Sequence, residues 1–507
     1  MTLPRMVVTG SSGFIGRHLL DTFKHDYRIV GIARRSQYLS GAPFHENITW
    51  KQVDIARPDQ LAAAFAEIRE EGPVDLVVHL AAHYDFTGED HPEYRRTNVD
   101  GLRNVLDECR LLRPRRFVFS SSVAACAFPP PGAALNELSP PDGDHIYART
   151  KAQGEAMLAE YRDAFPSVIV RFAALFSDWC EYPPLYMFLR TWLSRAWNRR
   201  VLGGRGESAI PYLHVKDAMT FLRRVVARLD TLEDGEILIA SGDGSTTHRE
   251  LYDTATVYWN EKAEEPLHTP RFLVRPGIQV MCTAGRFMKE RPFERPWMAD
   301  YVDRRMTVDS SRTRRRLEWA PRERLHVLRR LPFLLENRRG DRIEWTRRNR
   351  DAMKQFQERP CLAIYYVLQK HKDEIAEACT AELSARYPSY AAFSAKEHEW
   401  NHSVFLRLLF NAVRTRERVD FMSYCRELAL RRLDEGFDGS EVMGALQTLD
   451  DMCVKAVVDD PEAQSLMPHV HHYLSMTVQY GIDQVREAVE EWRLAHPEAA
   501  AGVDVSR

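Results

Sequence analysis

The first half of this 507-residue sequence predicts an α/β fold with a doubly wound parallel sheet, and its last third predicts an all-α helical bundle. Three observations support this prediction. Short apolar runs alternate with amphipathic segments up to about residue 240, a glycine-rich turn follows the first run, and from about residue 343 Pro and Gly become sparse while helical periodicity dominates. Such alternation is typical of βαβ units, whose parallel sheet carries helices on both faces.

The predicted strands are short apolar runs, and amphipathic segments of helix length separate them. The strands are predicted at Met6–Thr9, Arg28–Ile32, Thr49–Val53, Asp75–Leu80, Arg116–Ser120 and Val168–Phe172. The helices between them are predicted at Phe14–Lys24, Gln60–Arg69, Val99–Leu112 and Tyr147–Phe165. Because helices and not tight turns connect the strands, we expect the strands to pair in parallel.

Two domains are predicted. Residues 1–335 form the α/β domain, which includes a smaller substrate-binding part at about 175–215 and 255–330, with long loops near 200–212 and 262–300. Residues 343–495 form the helical domain. Its helices are predicted at Ile343–Lys370, Ala376–Tyr387, Trp400–Arg414, Val419–Glu435, Gly439–Val458 and His469–Arg493.

Composition and charge exclude several classes of protein. Lys plus Arg total 70 and Asp plus Glu total 72, so the formal net charge is −2 and we expect no nucleic-acid partner. No apolar run approaches the roughly 18 residues of a membrane-spanning helix, and the N-terminus shows no signal-peptide pattern. The eight cysteines are scattered without a CxxC pair, which is typical of reduced thiols. We therefore expect a cytoplasmic protein.

The first predicted strand runs into a glycine turn, which we define as Thr9–Gly16. Its glycines let the backbone turn sharply and approach a pyrophosphate, and the helix that follows directs its free N–H groups at the phosphates. We predict a dinucleotide site here. Its first residues are Gly10, Ser12, Gly13, Phe14, Ile15 and Gly16.

The end of the second strand indicates which dinucleotide binds. An acidic residue that would hold the adenosine 2′-hydroxyl is expected there, but the sequence has Arg34 and Arg35 and no carboxylate. A guanidinium pairs with a 2′-phosphate through charge-assisted hydrogen bonds. We therefore predict NADP as the cofactor, with NAD as the alternative.

Three residues form a candidate catalytic set. Tyr147 and Lys151 are four residues apart in a predicted helix and therefore share one face. The ordinary pKa of a phenol is about 10, and a neighbouring ammonium together with an oxidised nicotinamide favours the phenolate. Ser122 follows a strand at the edge where α/β folds bind ligands. We predict that Ser122 holds the substrate oxygen, Tyr147 moves the proton and Lys151 tunes Tyr147.

Further segments occur in the same order along the chain. They are VDIARP (Val53–Pro58), HLAA (His79–Ala82), HPEYRRTNVDGLRNVL (His91–Leu106), FVFSSS (Phe117–Ser122), YARTK (Tyr147–Lys151), PYLHVKDA (Pro211–Ala218) and TVDSSRTRRRLEW (Thr307–Trp319). Together with the glycine turn they resemble the extended short-chain dehydrogenase/reductases of the NAD-dependent epimerase/dehydratase family, which have a Rossmann fold. The resemblance covers about two thirds of the chain.

The resemblance implies further site residues. Asp54, with Ile55 beside it, would contact the adenine, Ala81 and Ala82 would line the cofactor path, and Asn98 would support the helix that carries the catalytic pair. Lys151 would also hold the nicotinamide ribose.

Departures from the family pattern bear on the substrate. Val123 and Ala124 stand where the family's dehydratases carry an Asp-Glu pair, so we do not expect dehydration. Ala174 and Ile210 stand where its sugar-nucleotide epimerases carry an Asn and an Arg that hold the diphosphate. The segments expected to face the substrate are instead apolar and aromatic. They contain Phe176, Trp179, Tyr182, Leu185, Tyr186, Phe188 and Trp192.

We therefore predict an NAD(P)-dependent oxidoreductase that acts on a small, rather apolar carbonyl or alcohol. The alternatives are a sugar-nucleotide epimerase and a regulatory protein that senses NADP(H) through the helical domain. We expect a homo-oligomer. The apolar stripe on residues 185–196, with arginines around it, predicts a helix packed on the fold, and a lid touching a membrane surface is the alternative.

The helical domain contains two histidine patterns. His398 and His402 lie in an HExxH segment typical of zinc proteases, but no third ligand is evident, and we predict no metal. A site shared with His469 and His472 stays open as an alternative. The stretch Leu428–Leu449 weakly resembles the helical sensor domains of stressosome-type regulators, which implies a role in dimerisation or sensing.

Overall fold

A seven-stranded parallel sheet forms the centre of the first of two units into which the chain divides, Met1–Gln357 and Glu358–Arg507. The structure is a computed structural model that describes residues 3–86, 88–288, 294–353 and 360–496. From one edge to the other the strands are Glu236–Ala240, Ser167–Phe172, Arg116–Ser122, Leu76–His79, Arg5–Thr9, Arg28–Ala33 and Ile48–Gln52. The α/β prediction is confirmed, while the strand Glu236–Ala240 lies beyond the six that the sequence predicted.

Each face of the sheet has its own apolar core, because successive residues of a strand point to opposite sides. Met6 and Val8 pack against the helices Phe14–Phe23 and Val215–Ala227. Val7, which lies between them, packs on the other face. The helices on that side are Pro58–Glu70, Gly101–Leu112 and Ile146–Leu158.

The remaining elements of the first unit are short or lie after the sheet. Further helices span Gln37–Ser40, Pro183–Trp192, His248–Asn260, Arg271–Met288, Ser311–Leu317, Val327–Gly340 and Arg342–Met353. A π-helical segment spans Tyr94–Asp100, and 3₁₀ turns span Val123–Ala125, Ala159–Tyr161, Pro296–Tyr301 and Glu323–Leu325. Small two-stranded sheets pair Ala174–Phe176 with Tyr212–His214, Ala209–Ile210 with Thr246–Thr247, and Val201–Gly203 with Leu267–Thr269.

Two predicted loops contain regular structure. The segment 200–212 holds three of the short strands, and the segment 262–300 holds the helix Arg271–Met288. That helix includes Pro276, a residue that disfavours a helix interior and so hid the helical pattern. Residues 289–293 of the predicted loop lie outside the described residues.

The helix Pro183–Trp192 packs on the fold as predicted. Leu185, Leu189 and Trp192 are buried in a third core. Phe176 is buried in the same core, so Phe176, Leu185 and Trp192, which were expected to face a substrate, pack among apolar side chains. Among the described residues, no helix has the length and apolar character needed to cross a membrane.

The second unit is entirely helical over its described residues. Its helices span Pro360–Lys370, Lys372–Arg386, Pro388–Ala391, Ala395–Thr415, Val419–Asp434, Gly439–Asp459, Met467–Val470 and Met476–Ala495, with a 3₁₀ segment at Pro461–Leu466 and a π-helical segment at His471–Ser475. One contiguous apolar core joins them.

Within the helix predicted at Ile343–Lys370, the described residues form Arg342–Met353 and Pro360–Lys370, and residues 354–359 lie outside the described residues. The first belongs to the first unit, where Trp345 joins the third core. The division between the units at Gln357 therefore lies later than the predicted domain start at 343.

Candidate active site

The glycine turn at the carboxyl end of the central strand leaves no room for side chains. Gly10 has φ +75°, and a Cβ there would lie 2.6 Å from the backbone nitrogen of Ala81. A Cβ on Gly16 would lie 2.4 Å from the Gly10 carbonyl oxygen. The chain can therefore follow this path only with glycine at both positions, which leaves an open backbone cradle where two strands end.

The helix Phe14–Phe23 begins directly at this cradle. Gly13 stands at its N-cap, and no side chain caps the first turn. Phe14 and Ile15 pack partly against the core below, so their part in the cradle is their backbone. Uncapped N–H groups at a helix N-terminus bind anions, and this cradle has the shape and polarity that a pyrophosphate requires.

The arginines predicted to select NADP lie beside the cradle. The Arg35 guanidinium donates a hydrogen bond to the Ser12 carbonyl oxygen at 2.7 Å, so a positive charge lies directly at the glycine turn. Arg34 lies 3.5 Å from the carboxylate of Glu93, which is fully buried. Glu93 was missed by the sequence analysis, since it lies 59 residues away along the chain.

The residues implied for the adenine side are also paired. Asp54 is buried, and its carboxylate accepts a hydrogen bond from Arg96 at 2.8 Å. Ile55 is buried in the core, where its side chain fills the space beside Gly101. Of these two, only Asp54 therefore presents polar atoms near the cofactor path.

Lys151, one of the predicted catalytic set, reaches the end of the strand Arg116–Ser122. The Lys151 side chain is buried, and its ammonium donates to the Ser120 carbonyl oxygen at 2.6 Å. The same nitrogen lies 5.7 Å from the centre of the Tyr147 ring. Ser122 accepts a hydrogen bond from the Ala124 N–H at 3.1 Å, which leaves its own hydroxyl proton for a further partner.

Burial changes the pKa values of this pair. Burial lowers the pKa of Lys151 to about 8, and the carboxylate of Glu155 opposes this shift. Burial raises the pKa of Tyr147 above its ordinary value. From the sequence we expect the opposite direction for Tyr147, because the neighbouring ammonium favours the phenolate, whereas the loss of water around the phenol becomes visible only in the fold.

Asn98 joins a loop to the site helix, which we define as Ile146–Leu158. Its amide oxygen accepts from the His83 N–H at 2.6 Å, and its amide nitrogen donates to the His83 carbonyl at 3.0 Å and to the Thr150 hydroxyl at 3.0 Å. Thr150 in turn donates to the Tyr147 carbonyl at 2.9 Å. Asn98 therefore fixes the turn of helix that carries Tyr147.

Aromatic rings surround Tyr147. Tyr84 stacks on Tyr147 with their ring centres 4.2 Å apart, and Phe86 lies 3.7 Å from Tyr84 and 6.4 Å from Tyr182. Of the aromatic residues expected to face the substrate, Tyr182 lies in this group. Tyr84 and Phe86 were missed, although they follow a predicted strand at the carboxyl edge of the sheet.

A buried ion pair lies behind Lys151. The guanidinium of Arg171, which is 1% exposed, donates to both carboxylate oxygens of Glu155, at 2.9 and 2.7 Å. The Ser121 hydroxyl donates to the same carboxylate at 2.5 Å. This network was missed, but Glu155 lies one helical turn after Lys151, and that spacing is a usable signal.

The histidine patterns of the second unit differ in exposure. His398 is buried and His402 half-buried, whereas Glu399 is exposed. His469 and His472 are exposed. Over the described ranges, no group of three or more His, Cys, Asp or Glu residues could hold a metal ion.

Comparisons with known proteins agree with the fold and the glycine turn. Residues 6–240 match the model of the NAD dependent epimerase/dehydratase family. The UDP-glucose 4-epimerase of Mycolicibacterium smegmatis is 30% identical over 168 residues, which cover 32% of this chain and 52% of that protein. The 2-alkyl-3-oxoalkanoate reductase of Shewanella oneidensis is 27% identical over 156 residues, which cover 30% of this chain and 38% of that protein. The chain thus spans about half the length, or less, of these curated relatives.

A solved structure extends the comparison over the first unit. The UDP-glucose 4-epimerase of Thermus thermophilus, in complex with NAD, matches with a TM-score of 0.50 and 20% identity. The match covers 66% of this chain and 99% of that one. At this identity the likeness concerns the fold, and it shows that the sheet and its helices follow the arrangement of these epimerases.

Proposed function

We propose that the first unit, whose residues 6–240 match the model of the NAD dependent epimerase/dehydratase family, is an oxidoreductase that transfers hydride between NADP and a small, rather apolar carbonyl or alcohol. The main support is the hydrogen bond from Lys151 to the Ser120 carbonyl. This bond holds the site helix against the strand end that carries Ser122. The neighbouring strand leads into Ala81, whose backbone lies against Gly10 of the glycine turn.

Each residue of the set has a role in such a transfer. When bound, NADP supplies or accepts the hydride. The Ser122 hydroxyl would donate a hydrogen bond to the substrate oxygen, and the Tyr147 phenol would give that oxygen its proton. Lys151, still charged at neutral pH because its pKa is about 8, would stabilise the phenolate that remains.

The preference for NADP over NAD rests on charge. Arg35 is held at the glycine turn by its bond to Ser12, and Arg34 precedes it at the end of the second strand. Two guanidiniums at this position favour a 2′-phosphate over a free hydroxyl. The structural relative described above binds NAD, so cofactor choice is a property to be measured on this chain.

The proposal of an apolar substrate rests on what surrounds Tyr147. The rings of Tyr84, Phe86 and Tyr182 offer stacking and apolar contact. Ala174 and Ile210 lie in two short strands and bring no charge to a diphosphate. One curated relative, by its name, reduces an alkylated oxoalkanoate, which is a substrate of this chemistry.

Replacing Tyr147 with Phe tests the proposal. We expect turnover of ketones with NADPH to fall by about 10²–10⁴-fold, since the proton donor is lost while the ring stays. The dissociation constant for NADPH should change little. The matched control is Tyr161→Phe on the back of the same domain, where the hydroxyl binds Asp107. Turnover that survives in Tyr147→Phe would exclude the assigned role.

Sugar-nucleotide epimerisation is the second candidate, because the Mycolicibacterium relative is a UDP-glucose 4-epimerase. The two functions differ in whether the reaction consumes cofactor overall. An epimerase interconverts UDP-glucose and UDP-galactose with no net use of cofactor, whereas the proposed reductase consumes NADPH with each ketone. Incubating the purified full chain with each substrate, and following sugar epimers and NADPH separately, distinguishes them. Epimer formation without NADPH loss would replace the reductase proposal.

A further inference from the structure

A cavity of about 60 Å³ lies inside the second unit. Residues of five helices line it, together with Phe393, which lies between two of them. The lining includes Leu383, His402, Tyr424, Leu428, Leu446 and Leu449.

The cavity has an apolar deep end and a mouth. Leu383, Leu446 and Leu449 are buried, while Tyr424 and Leu428 are half-buried and connect the cavity to the surface. Since a single water needs about 10–15 Å³, the cavity has room for roughly four to six water-sized groups. An apolar space of this kind suits an aliphatic group better than water, because its walls offer water few hydrogen bonds.

His402, a polar side chain of the cavity wall, has a hydrogen-bond partner in Thr380. The Thr380 hydroxyl donates to the Ala376 carbonyl at 3.0 Å and lies 3.2 Å from Nδ1 of His402. With the hydroxyl proton on the Ala376 carbonyl, the Thr380 oxygen can accept from Nδ1–H of His402, and in that tautomer Nε2 carries a lone pair. The His402 side chain lines the cavity.

The imidazole of His402 is uncharged at neutral pH. Burial and the neighbouring His398 lower the pKa of His402 to about 4. The one cation of the lining, Arg432, is paired with Glu435 and lies between the rings of Phe393 and Phe437. The cavity thus presents a hydrogen-bond acceptor beside apolar walls, and its positive charge is already balanced.

We propose that the second unit binds a small aliphatic alcohol in this cavity, with its chain among the leucines and its hydroxyl donating to Nε2 of His402. A carboxylate of the same length has no proton to donate and would lack an uncompensated cation. An alkane fills the same space without the hydrogen bond. Roughly four to six non-hydrogen atoms fill the cavity, and the rest of a nine-atom alcohol such as 1-octanol would extend past the half-buried Tyr424 and Leu428.

The test uses the full chain and three probes, 1-octanol, octane and octanoate, titrated calorimetrically and by native mass spectrometry. We expect saturable binding of 1-octanol that is three- to tenfold tighter than that of octane, as one hydrogen bond provides. Octanoate should bind more weakly than 1-octanol. Equal binding of 1-octanol and octane, tighter binding of octanoate, or no 1-octanol binding up to its solubility would overturn the proposal.

Variants locate the site. His402→Phe should weaken 1-octanol three- to tenfold and leave octane unchanged, while Ala445→Phe, which fills the mouth, should weaken both probes. His469→Phe is the matched control, because His469 is an exposed histidine of the same unit. If His402→Phe does not fold, Thr380→Val, which removes the partner of Nδ1, serves in its place and should weaken only 1-octanol. Unchanged 1-octanol binding in the folded variant would refute the assigned contact.

Discussion

The buried pair of Glu155 and Arg171 gives a sharp test of how the site helix is held and tuned. Both side chains are almost without solvent contact, and two hydrogen bonds join them. Glu155→Gln keeps the shape and removes the charge. The Arg171 guanidinium would then remain buried with its charge uncompensated.

The expected loss of stability follows from the burial. Removing one partner of a buried ion pair costs about 3–5 kcal/mol. Glutamine retains one acceptor oxygen, and Arg171 also donates to the Ser139 carbonyl at 2.7 Å, so we expect the lower end, about 3 kcal/mol. This loss is measured as the difference in the free energy of unfolding between the variant and the wild type. Urea titration followed by tryptophan fluorescence gives both values.

The same change should move the pH profile. The Glu155 carboxylate raises the pKa of Lys151, which burial has lowered to about 8. Lys151 supports turnover in its charged form, so activity of the wild type falls as pH rises through about 8. Without the carboxylate the pKa of Lys151 is lower still, and the activity of Glu155→Gln falls at a lower pH.

The control is Glu160→Gln, where an exposed carboxylate pairs with the exposed Arg103. Because solvent screens this exposed pair, its stability should change little and its pH profile should not move. A Glu155→Gln variant as stable as the wild type would refute the stability argument. If the activity of Glu155→Gln fell at the same alkaline pH as that of the wild type, the electrostatic link to Lys151 would be refuted.

Three further predictions concern the cofactor site and its support. Gly16→Ala places a Cβ 2.4 Å from a carbonyl oxygen, so we expect dinucleotide binding to be lost and stability to fall by about 1–3 kcal/mol, as measured by fluorescence titration and urea unfolding. Arg34→Ala combined with Arg35→Ala should weaken NADP binding at least tenfold more than NAD binding, and equal losses would contradict the 2′-phosphate assignment. Asn98→Ala should lower turnover more than cofactor affinity, because it frees the turn that Thr150 and Tyr147 share; unchanged turnover would contradict it.

The strands could be predicted closely because parallel strands are buried on both faces and are therefore continuous apolar runs. Arg116–Ser122 and Ser167–Phe172 begin within a residue of their predicted starts. Arg271–Met288 could not be predicted in this way, since Pro276 breaks the local helical preference.

The candidate site shows the same contrast between local and distant contacts. The glycine turn and the spacing of Tyr147 and Lys151 are local, so the sequence contains them in full. The bond between Glu155 and Arg171 joins a helix to a strand, and Tyr84 reaches Tyr147 from a loop, so no spacing rule predicts either contact.

The pKa of Tyr147 has a consequence for the direction of the reaction. Burial raises it, so the phenol holds its proton near neutral pH, while Lys151, with a pKa of about 8, is still mostly charged there. A protonated phenol can donate to a carbonyl oxygen at once, whereas oxidation of an alcohol first requires that this proton leave. If the site acts as proposed, ketone reduction is therefore faster near neutral pH than oxidation of the corresponding alcohol. Oxidation should gain as pH rises, until the ammonium of Lys151 is itself lost.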